Sequence, residues 1–549
     1  MKRQTLIMKL VLVLGCMGFL TTFAQTSGEL ENVEIEIVKE RKVSLPEAER
    51  KFNKIAPQAS EPISPPISYS FKPIEVQLPL ANLTVRPLKL KQEAAEDSGR
   101  GQVSVGYGNF ASPYLEGFIT SKKNAKQLVG AHALMDIWAK GPVDDRNSGN
   151  GKYGLSLFAQ SFGDQLQASA FASIDQSFWH YYGYPAVSTP EANDILHSFN
   201  RFALGGTIGN SVKEKLAFNL NANFGYLADN FAAKESRIGL DFGSRYTIAE
   251  QKNVKFNASY LLISRQDEEV NAKPRSLLQL GAVYSFSPID KLQVDAGLNI
   301  AYENDSIDKD FHVYPHLMGT YALTNSIAVK AKLSGSMQAV SLNALSQENP
   351  WLAPNVFIAH TNELISLSSS IEAKVTPAVK AELGFSLSSL DNLYFYSNVE
   401  DDPSMFELHY DNQATERINL YASVAYALAR KTNVGLRGDW FAYNTSSSIE
   451  PWHRPTYKMT FDAAHNFYKK LKLSTSFVLL GGMKAYDFEE EEEVTLKGAA
   501  DLSLRADYFV SDNFLIFLQG ANVLSSDYSL YFNYPVRGVQ VRAGISWSF

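Results

Sequence analysis

The sequence closes with the stretch Gly538-Val539-Gln540-Val541-Arg542-Ala543-Gly544-Ile545-Ser546-Trp547-Ser548-Phe549, and this stretch decides the fold class. Apolar side chains alternate in it with polar residues or glycine. Because successive side chains of a strand point to opposite faces, the stretch predicts a strand with one apolar and one polar face. An apolar outer face, a polar inner face and a terminal aromatic residue are typical of a strand in a transmembrane β-barrel.

The same two-residue period recurs along the chain from Gly101 onward. It is clearest at residues 216–226, 254–262, 292–302, 327–337, 418–426 and 500–508. We count about 22 such strands, and sharing about 450 residues among them leaves room for spans of about 10 residues with their connections. The sequence therefore predicts an all-β fold, a transmembrane antiparallel β-barrel of about 22 strands over residues 101–549.

Short and long connections alternate between the predicted strands. The short ones lie at 163–164, 287–291, 376–378, 429–432 and 511–513, and the long ones at 139–152, 180–199, 338–361 and 397–415. In bacterial outer-membrane barrels the short turns face the periplasm and the long loops face outward. The pattern predicts a bacterial outer-membrane protein whose Phe549 end is periplasmic.

Two further segments precede the predicted barrel. Residues 1–24 have the pattern of a signal peptide, with a basic start, an apolar core and small residues at Thr22-Phe23-Ala24. A competing interpretation is a lipoprotein signal at Leu14-Gly15-Cys16. Residues 25–100 contain eight prolines, and because proline fixes φ and lacks an N–H, they predict an extended periplasmic arm or a reduced plug.

The arm contains a short alternating segment made of Val33, Glu34, Ile35, Glu36, Ile37 and Val38. One hypothesis is that it adds as a strand to the sheet edge of a periplasmic partner. The other is a short strand lying on the periplasmic rim of the barrel.

Composition narrows the classes of function. The formal net charge is −7, which argues against nucleic acid as a partner. The single cysteine, Cys16, lies in the predicted leader, so we expect no disulfide or thiolate metal site. The nine histidines lack the spacing of a zinc site, and His132 is expected to face the lumen. We therefore expect no metal, no cofactor and no catalytic residues; a barrel hydrolase remains the alternative.

The carboxy-terminal region from Ala506 resembles the end of TonB-dependent receptors. A strand ends in Gly520-Ala521-Asn522-Val523-Leu524, a tyrosine-rich loop follows, and the last strand ends in phenylalanine. Gly106 to Phe110, Trp179 to Gly183 and Asn349 to Asn355 are similar to a Bacteroidota-type branch of such barrels. The resemblance implies uptake or gating of a small nutrient. Family receptors carry a plug of more than a hundred residues, so the plug here is expected to be reduced or missing.

The resemblance also implies partners. The segment Val33 to Val38 stands where the family keeps its TonB-contacting box, which makes TonB or another periplasmic protein a candidate. Outer-membrane lipid and lipopolysaccharide surround such barrels, and a surface lipoprotein is a further candidate. The alternative function is a non-transporting barrel that acts as a subunit or scaffold of an outer-membrane complex, because the plug is short.

Two groups of residues are candidate ligand or loop contacts. The aromatic candidates Trp179, Tyr181 and Tyr182 are suited to stacking on a sugar or siderophore ring, and the alternative is the aromatic girdle at the membrane interface. Trp351 is expected in a structured external loop that contacts a ligand or partner, and the alternative is a plain loop. The acidic candidates are Glu489, Glu490, Glu491, Glu492 and Glu493, which are suited to binding cations; the alternative is a solvated loop.

Overall fold

The structure, a computed structural model, describes residues 100–549 apart from 122–125, 189, 211–214, 271, 306–308, 429–430, 447–448 and 469. Its main element is one 22-stranded antiparallel sheet that closes on itself. The predicted fold class, an antiparallel β-barrel of about 22 strands, is confirmed. The predicted signal peptide, arm and strand Val33 to Val38 lie outside the described residues.

The strands are numbered in chain order. They are β1 (Gly101–Gly108), β2 (Tyr114–Thr120), β3 (Gln127–Trp138), β4 (Asn150–Phe162), β5 (Leu166–His180), β6 (Leu196–Asn210), β7 (Leu216–Asp229), β8 (Lys234–Ala249), β9 (Lys252–Gln266), β10 (Arg275–Ile289), β11 (Leu292–Asn304), β12 (Lys309–Ala322), β13 (Ile327–Gln338), β14 (Thr361–Thr376), β15 (Val379–Asp391), β16 (Tyr394–Asn398), β17 (Phe406–Tyr410), β18 (Thr415–Leu428), β19 (Thr432–Asn444), β20 (Tyr457–Phe467), β21 (Leu471–Gly481), β22 (Lys484–Asp487), β23 (Glu492–Thr495), β24 (Ala499–Phe509), β25 (Phe514–Ala521) and β26 (Gln540–Ser548).

Four of these strands stand outside the ring. β16 pairs with β17, and β22 pairs with β23, as two small hairpins within long loops. The described residues also contain one α-helix, α1 (Leu342–Glu348), and one 3₁₀ turn, Asp145–Ser148. No described helix has the length and apolar character needed to cross a membrane.

The ring closes between the first and last strands. Gly101 and Phe549 exchange both backbone N–H···O bonds at 3.0 Å, and the register continues with Val103 opposite Trp547 and Gly106 opposite Gly544. Closure pairs the edges of β1 and β26, which an open sheet would leave exposed. The last twelve residues of the sequence therefore complete the barrel.

The alternation seen in the sequence separates the outside of the barrel from its lumen. On β26 the outward Val541, Ile545 and Trp547 are 40%, 48% and 55% exposed, whereas the inward Arg542 and Ser546 are 2% and 1% exposed. An outer surface of this apolar character suits the hydrocarbon core of a bilayer. The predicted faces of the last strand are confirmed.

The two ends of the barrel differ as the connection lengths predicted. One end, the short-turn end, carries tight connections such as 163–165, 250–251 and 377–378. The other, the long-loop end, carries the connections 139–149, 181–195, 339–360, 392–414, 445–456, 482–498 and 522–539. The residues that position the candidate site are in these long loops and in the strand ends beneath them.

Candidate functional site

Loops from different parts of the ring fold together over the long-loop end, and we call this assembly the cap. Its buried core joins the connections 181–195, 339–360, 392–414 and 522–539 to the upper parts of β6 and β7. The largest fully buried members are Tyr181, Phe199, Tyr396, Phe406 and Tyr534. Hydrophobic packing of this kind gives the loops a core of their own.

Trp351 lies at the centre of the cap. Its ring centroid is 4.0 Å from that of Tyr534, 5.8 Å from that of Trp179 and 5.7 Å from that of Tyr182. Its indole N–H donates to the backbone oxygen of His180 at 2.9 Å. These contacts join the three connections 181–195, 339–360 and 522–539. Around the ring, the strands between successive connections are β6 to β13, β14 to β25, and β26 to β5. Those intervals each cover about a third of the ring, so Trp351 joins loops that arise far apart around the opening.

Tyr181 connects the cap to the barrel wall through a buried polar chain. Its hydroxyl donates to the Leu352 backbone oxygen at 2.6 Å and lies 2.7 Å from Nδ1 of His197. The other ring nitrogen of His197 is 3.1 Å from the carboxylate of Asp229. Burial raises the pKa of the Tyr181 hydroxyl, which keeps it a donor. The chain fixes the central loop to β6 and β7.

Three arginines near the long-loop end hold the connection 339–360 from below, and we call Arg201, Arg265 and Arg275 the arginine clamp. Arg275 donates to the backbone oxygens of Val340 at 2.9 Å and Ile358 at 3.3 Å. All three arginines point into the lumen from β6, β9 and β10. A guanidinium has several donors in a fixed plane, so one side chain can bind two carbonyls at once.

The other two members of the arginine clamp reach further along the same loop. Arg265 donates to the Val356 oxygen at 2.6 Å and is paired with Asp267. Arg201 reaches α1, donating to Asn343 Oδ1 at 3.1 Å and to Ser346 Oγ at 3.0 Å. The arginine clamp therefore grips the connection at both ends and at its helix.

A carboxylate completes the attachment of α1. Glu235 on β8 accepts from the backbone N–H groups of Leu342 at 2.7 Å and Asn343 at 3.1 Å. The Ser341 side chain accepts from the N–H of Ala344 and caps the same helix. A negative charge at a helix N-terminus is favourable because the free N–H groups and the helix dipole are positive there.

A cavity of about 560 Å³ lies directly beneath the cap, between α1 and the inner wall. Its lining combines two indoles with charges of both signs. The chemically informative residues are Trp138, Trp179, Lys152, Asp175, Arg201 and Arg237. Aromatic faces with a few convergent polar groups are typical of small-molecule sites, and the volume suits a compact polar ligand.

Two buried histidines belong to the cap as well. His453 lies 2.9 Å from the Tyr396 oxygen through Nδ1, and its Nε2 accepts from the N–H of Phe532 at 3.1 Å. The Nδ1 of His360 accepts from the N–H of Val340 at 3.1 Å. Burial lowers the pKa of both imidazoles to about 4, assisted at His360 by the nearby charge of Arg275. Both rings are therefore neutral at pH 7.

The four aromatic contact residues predicted from the sequence lie together in the structure, and the five predicted glutamates lie apart from them. Trp179, Tyr181, Tyr182 and Trp351 all pack in or against the core of the cap instead of a lipid-facing girdle. The run Glu489 to Glu493 covers the turn and start of the β22–β23 hairpin, where Glu493 pairs with Lys484 at 2.9 Å. A ligand role for either group stays a prediction.

The arginine clamp and Glu235 were not predicted from the sequence. The sequence contained one signal for these residues, which is a charged side chain at an inward position near the long-loop end of each of several neighbouring strands. His132 was expected in the lumen, and it lies there, 3.0 Å from Glu116 Oε1. Within the described residues no group of three histidine, cysteine or acidic side chains is arranged to hold a metal ion.

Comparison with known proteins was informative at the level of structure. No family model and no curated protein sequence matches the chain. Among solved structures, the iron transporter FrpB of Neisseria meningitidis superposes with a TM-score of 0.64 at 10% identity, covering 83% of this chain and 82% of the other. The siderophore receptor PiuA of Acinetobacter baumannii gives 0.60 at 9% identity, covering 82% and 81%.

A third similar structure is the ferric enterobactin receptor PfeA of Pseudomonas aeruginosa in complex with enterobactin, with a TM-score of 0.60 at 10% identity, covering 82% of this chain and 81% of that one. The chain has the fold of a TonB-dependent receptor. In this TonB-dependent receptor fold, the cap and the cavity beneath it lie at the long-loop end, the end expected to face outward.

Proposed function

We propose that this protein is a receptor-type barrel of the bacterial outer membrane that admits a small nutrient, and that the cap is its outer gate. The observation that carries the proposal is Trp351, which joins three loops across the long-loop end, together with the cavity between α1 and the inner wall. The fold shared with iron and siderophore receptors supports the placement in the outer membrane. Those similar proteins are receptors and transporters, which is consistent with a non-enzymatic role.

The gate has a defined mechanical basis. The arginine clamp ties the connection 339–360 to the inner wall, and the aromatic core ties the same connection to the loops 181–195 and 522–539. Opening requires both sets of contacts to release together. A nutrient that binds the open cap more tightly than the closed one would shift this balance, because a ligand moves a conformational equilibrium only through its differential affinity.

Conductance of the purified protein in planar bilayers tests the gate. A barrel of 22 strands encloses a wide lumen, so an uncovered one passes potassium and chloride readily. We expect low conductance for the natural sequence and a clear increase for the double variant Arg265→Ala and Arg275→Ala. Arg505→Ala is the matched control, because Arg505 also faces the lumen but pairs with Asp507 on its own strand at 2.8 Å. Equal conductance in all three proteins would contradict the proposal that the cap is a gate.

Energised uptake is the second part of the proposal, with TonB or another periplasmic protein engaging Val33 to Val38. Deleting these six residues should abolish uptake of the nutrient while the barrel still reaches the membrane. Unchanged uptake would leave the gate intact but exclude energised transport through this segment.

A further inference from the structure

The neighbouring strands β12 and β13 part along about half of their length, and we call this place the seam. β11 and β12 pair along their whole length, from Asn304 opposite Lys309 to Leu292 opposite Tyr321. β12 and β13 pair only from Leu317 opposite Leu333 to Ala322 opposite Ala328. Above Leu317, in the part of the chain that the structure describes, residues 309–316 of β12 face no paired strand on that side.

The upper part of β13 lies inside the lumen instead of continuing the wall. Its ladder with β14 continues past a bulge at Gly335 to Gln338 opposite Thr361. The backbone oxygen of Met337 accepts from Gln279 Nε2 at 3.0 Å, and the Tyr314 hydroxyl donates to Asn362 Oδ1 at 2.7 Å. Gln279 and Tyr314 are inward residues of β10 and β12. The tip of β13 therefore lies against the inner face of its neighbours.

Pro315 explains part of the separation. Proline has no N–H for a ladder and is found in sheets on edge strands or at bulges. Here it stands two residues above Leu317, in the stretch of β12 that has no partner on the β13 side. Every second residue of 309–316 directs its N–H and C=O toward the missing strand. Such groups are strongly disfavoured against hydrocarbon and need water, protein or another polar group beside them.

The seam opens toward the outer half of the apolar belt. The outward residues Phe311 and Val313 are 59% and 55% exposed and continue the lipid-facing surface. Tyr321, also outward, lies near the short-turn end of the same strand. The ten residue-to-residue steps from Phe311 to Tyr321 span about 23 Å along the axis at a strand tilt of about 45°, close to the height of the apolar band of such barrels.

The inner side of the seam is apolar in a lumen that is otherwise mostly polar. Leu277, Ala301, Tyr314 and Met337 form a buried cluster there, with Leu261 against it. Polar groups adjoin the cluster: His312 stacks on Tyr314, and its Nε2 lies 3.6 Å from Glu303 Oε1. The seam therefore offers apolar surroundings to a hydrocarbon chain and polar surroundings to a head group, within the length of one strand.

We infer that this seam is a lateral portal through which the acyl chain of an amphipathic molecule passes between the outer leaflet and the lumen. Continuity with the lipid-facing belt favours an acyl chain as the occupant. Pro315 disfavours a strand from a partner protein, because proline weakens pairing along the edge it occupies. The portal rests on the proposed placement of the barrel in a bilayer, although not on the gate or on energised uptake.

Photolabelling of the full-length protein in vesicles tests the portal. The vesicles contain a phosphatidylethanolamine with a diazirine on its acyl chain, and adducts are mapped by mass spectrometry. We expect labelling of Met337 at a level several-fold above that of Phe517, a buried lumen residue on the fully paired β25. Labelling of the outward Leu298, 58% exposed, reports placement in the bilayer.

A disulfide across the seam provides the matched variant. A Cβ at Gly335 would lie 2.6 Å from Cδ1 of Tyr314, which brings the two Cβ atoms within about 5 Å and near disulfide range. It would also lie 2.8 Å from the backbone oxygens of Glu363 and Leu364, so labelling is compared only in the fraction of the variant that still migrates as the compact folded band. The pair Tyr314→Cys and Gly335→Cys should lower labelling of Met337 to the level of Phe517. The control pair Thr460→Cys and Val478→Cys joins directly opposed residues of β20 and β21 and should leave it unchanged.

Three results would overturn the portal. Labelling of Met337 no higher than that of Phe517 excludes access from the leaflet, and labelling that persists in the locked variant shows access from the lumen. A photo-crosslinker at Val313 that captures a polypeptide in native membranes, with no lipid adduct, assigns the seam to a protein partner. An unlabelled Leu298 is a separate failure, because it contradicts the bilayer placement itself.

Discussion

The indole N–H of Trp351 donates a hydrogen bond to the backbone oxygen of His180 at 2.9 Å, although 171 residues separate the two in the chain. This bond links the connection after β13 to the end of β5 over the opening of the barrel. The surrounding rings of Trp179, Tyr182 and Tyr534 exclude water from it. Closure of the long-loop end depends on such contacts between loops, and the predictions below test them.

Removing the indole side chain of Trp351 should open the cap and leave the barrel intact. Trp351→Ala deletes a side chain that is 8% exposed, and loss of a buried tryptophan typically costs about 3–5 kcal/mol. We expect faster chymotryptic cleavage within 339–360, after residues such as Leu352 and Phe357, and higher conductance, with an unchanged thermal midpoint for the barrel. Trp440→Ala is the control, since Trp440 is an outward residue that is 46% exposed. Loss of the whole fold in the first variant would contradict a local role.

Weakening the arginine clamp at a single point should have a graded effect. Arg275→Ala leaves Asp305 without its ion pair at 3.3 Å and removes donors from two backbone oxygens. Breaking a buried pair in this way costs about 3–5 kcal/mol. Hydrogen exchange should accelerate in 339–360 and stay unchanged in β18 and β19. Arg275→Lys should retain part of the protection, because lysine keeps the charge but loses the planar fork.

Acid should loosen the cap through His360 and His453. Burial lowers the pKa of each to about 4 from the usual 6.5, so folding favours the neutral ring. This stabilisation is complete above pH 6.5 and is lost as pH falls from 6.5 toward 4, because the unfolded loop takes up protons first. The cap should therefore become more sensitive across this interval to a protease that stays active at acid pH and cleaves beside apolar residues.

A non-titrating side chain at one position separates this effect from general acid denaturation. His453→Gln retains a donor and an acceptor but has no proton to gain near pH 5. Its protease sensitivity should change less between pH 6.5 and 4 than that of the natural sequence. An identical pH profile in the two proteins would show that His453 does not contribute.

Closure of the ring should be sensitive to one glycine. A Cβ at Gly544 would overlap the Val105 backbone oxygen and the Phe517 ring, and backbone cannot yield as a flexible side chain can. Gly544→Ala should therefore lower the yield of folded barrel, measured as the fraction that migrates as a compact band before heating. Gly319→Ala is the control, because nothing lies within 4 Å of its added methyl. Equal folded fractions would contradict the tight packing of β26.

Residues 101–549 determined the barrel by their two-residue period alone. Lipid outside and a polar lumen inside act on every strand separately, so Val541, Arg542 and their neighbours reveal their faces without knowledge of any partner. Strand number and the orientation of the connections followed from the same local signal. Individual aromatic residues of the cap, Trp351 among them, were also recognisable as loop candidates.

Only the tertiary structure decided that these rings meet, that Arg201, Arg265 and Arg275 hold the loop between them, and that β13 leaves β12 above Leu317. The physical reason is that these contacts join residues far apart in sequence. Arg201 and Ser346, for example, are separated by 145 positions. The side chains of a loop core follow no sequence period, because neither lipid nor strand geometry fixes which of them turn inward. Their contacts are determined only when the barrel has closed.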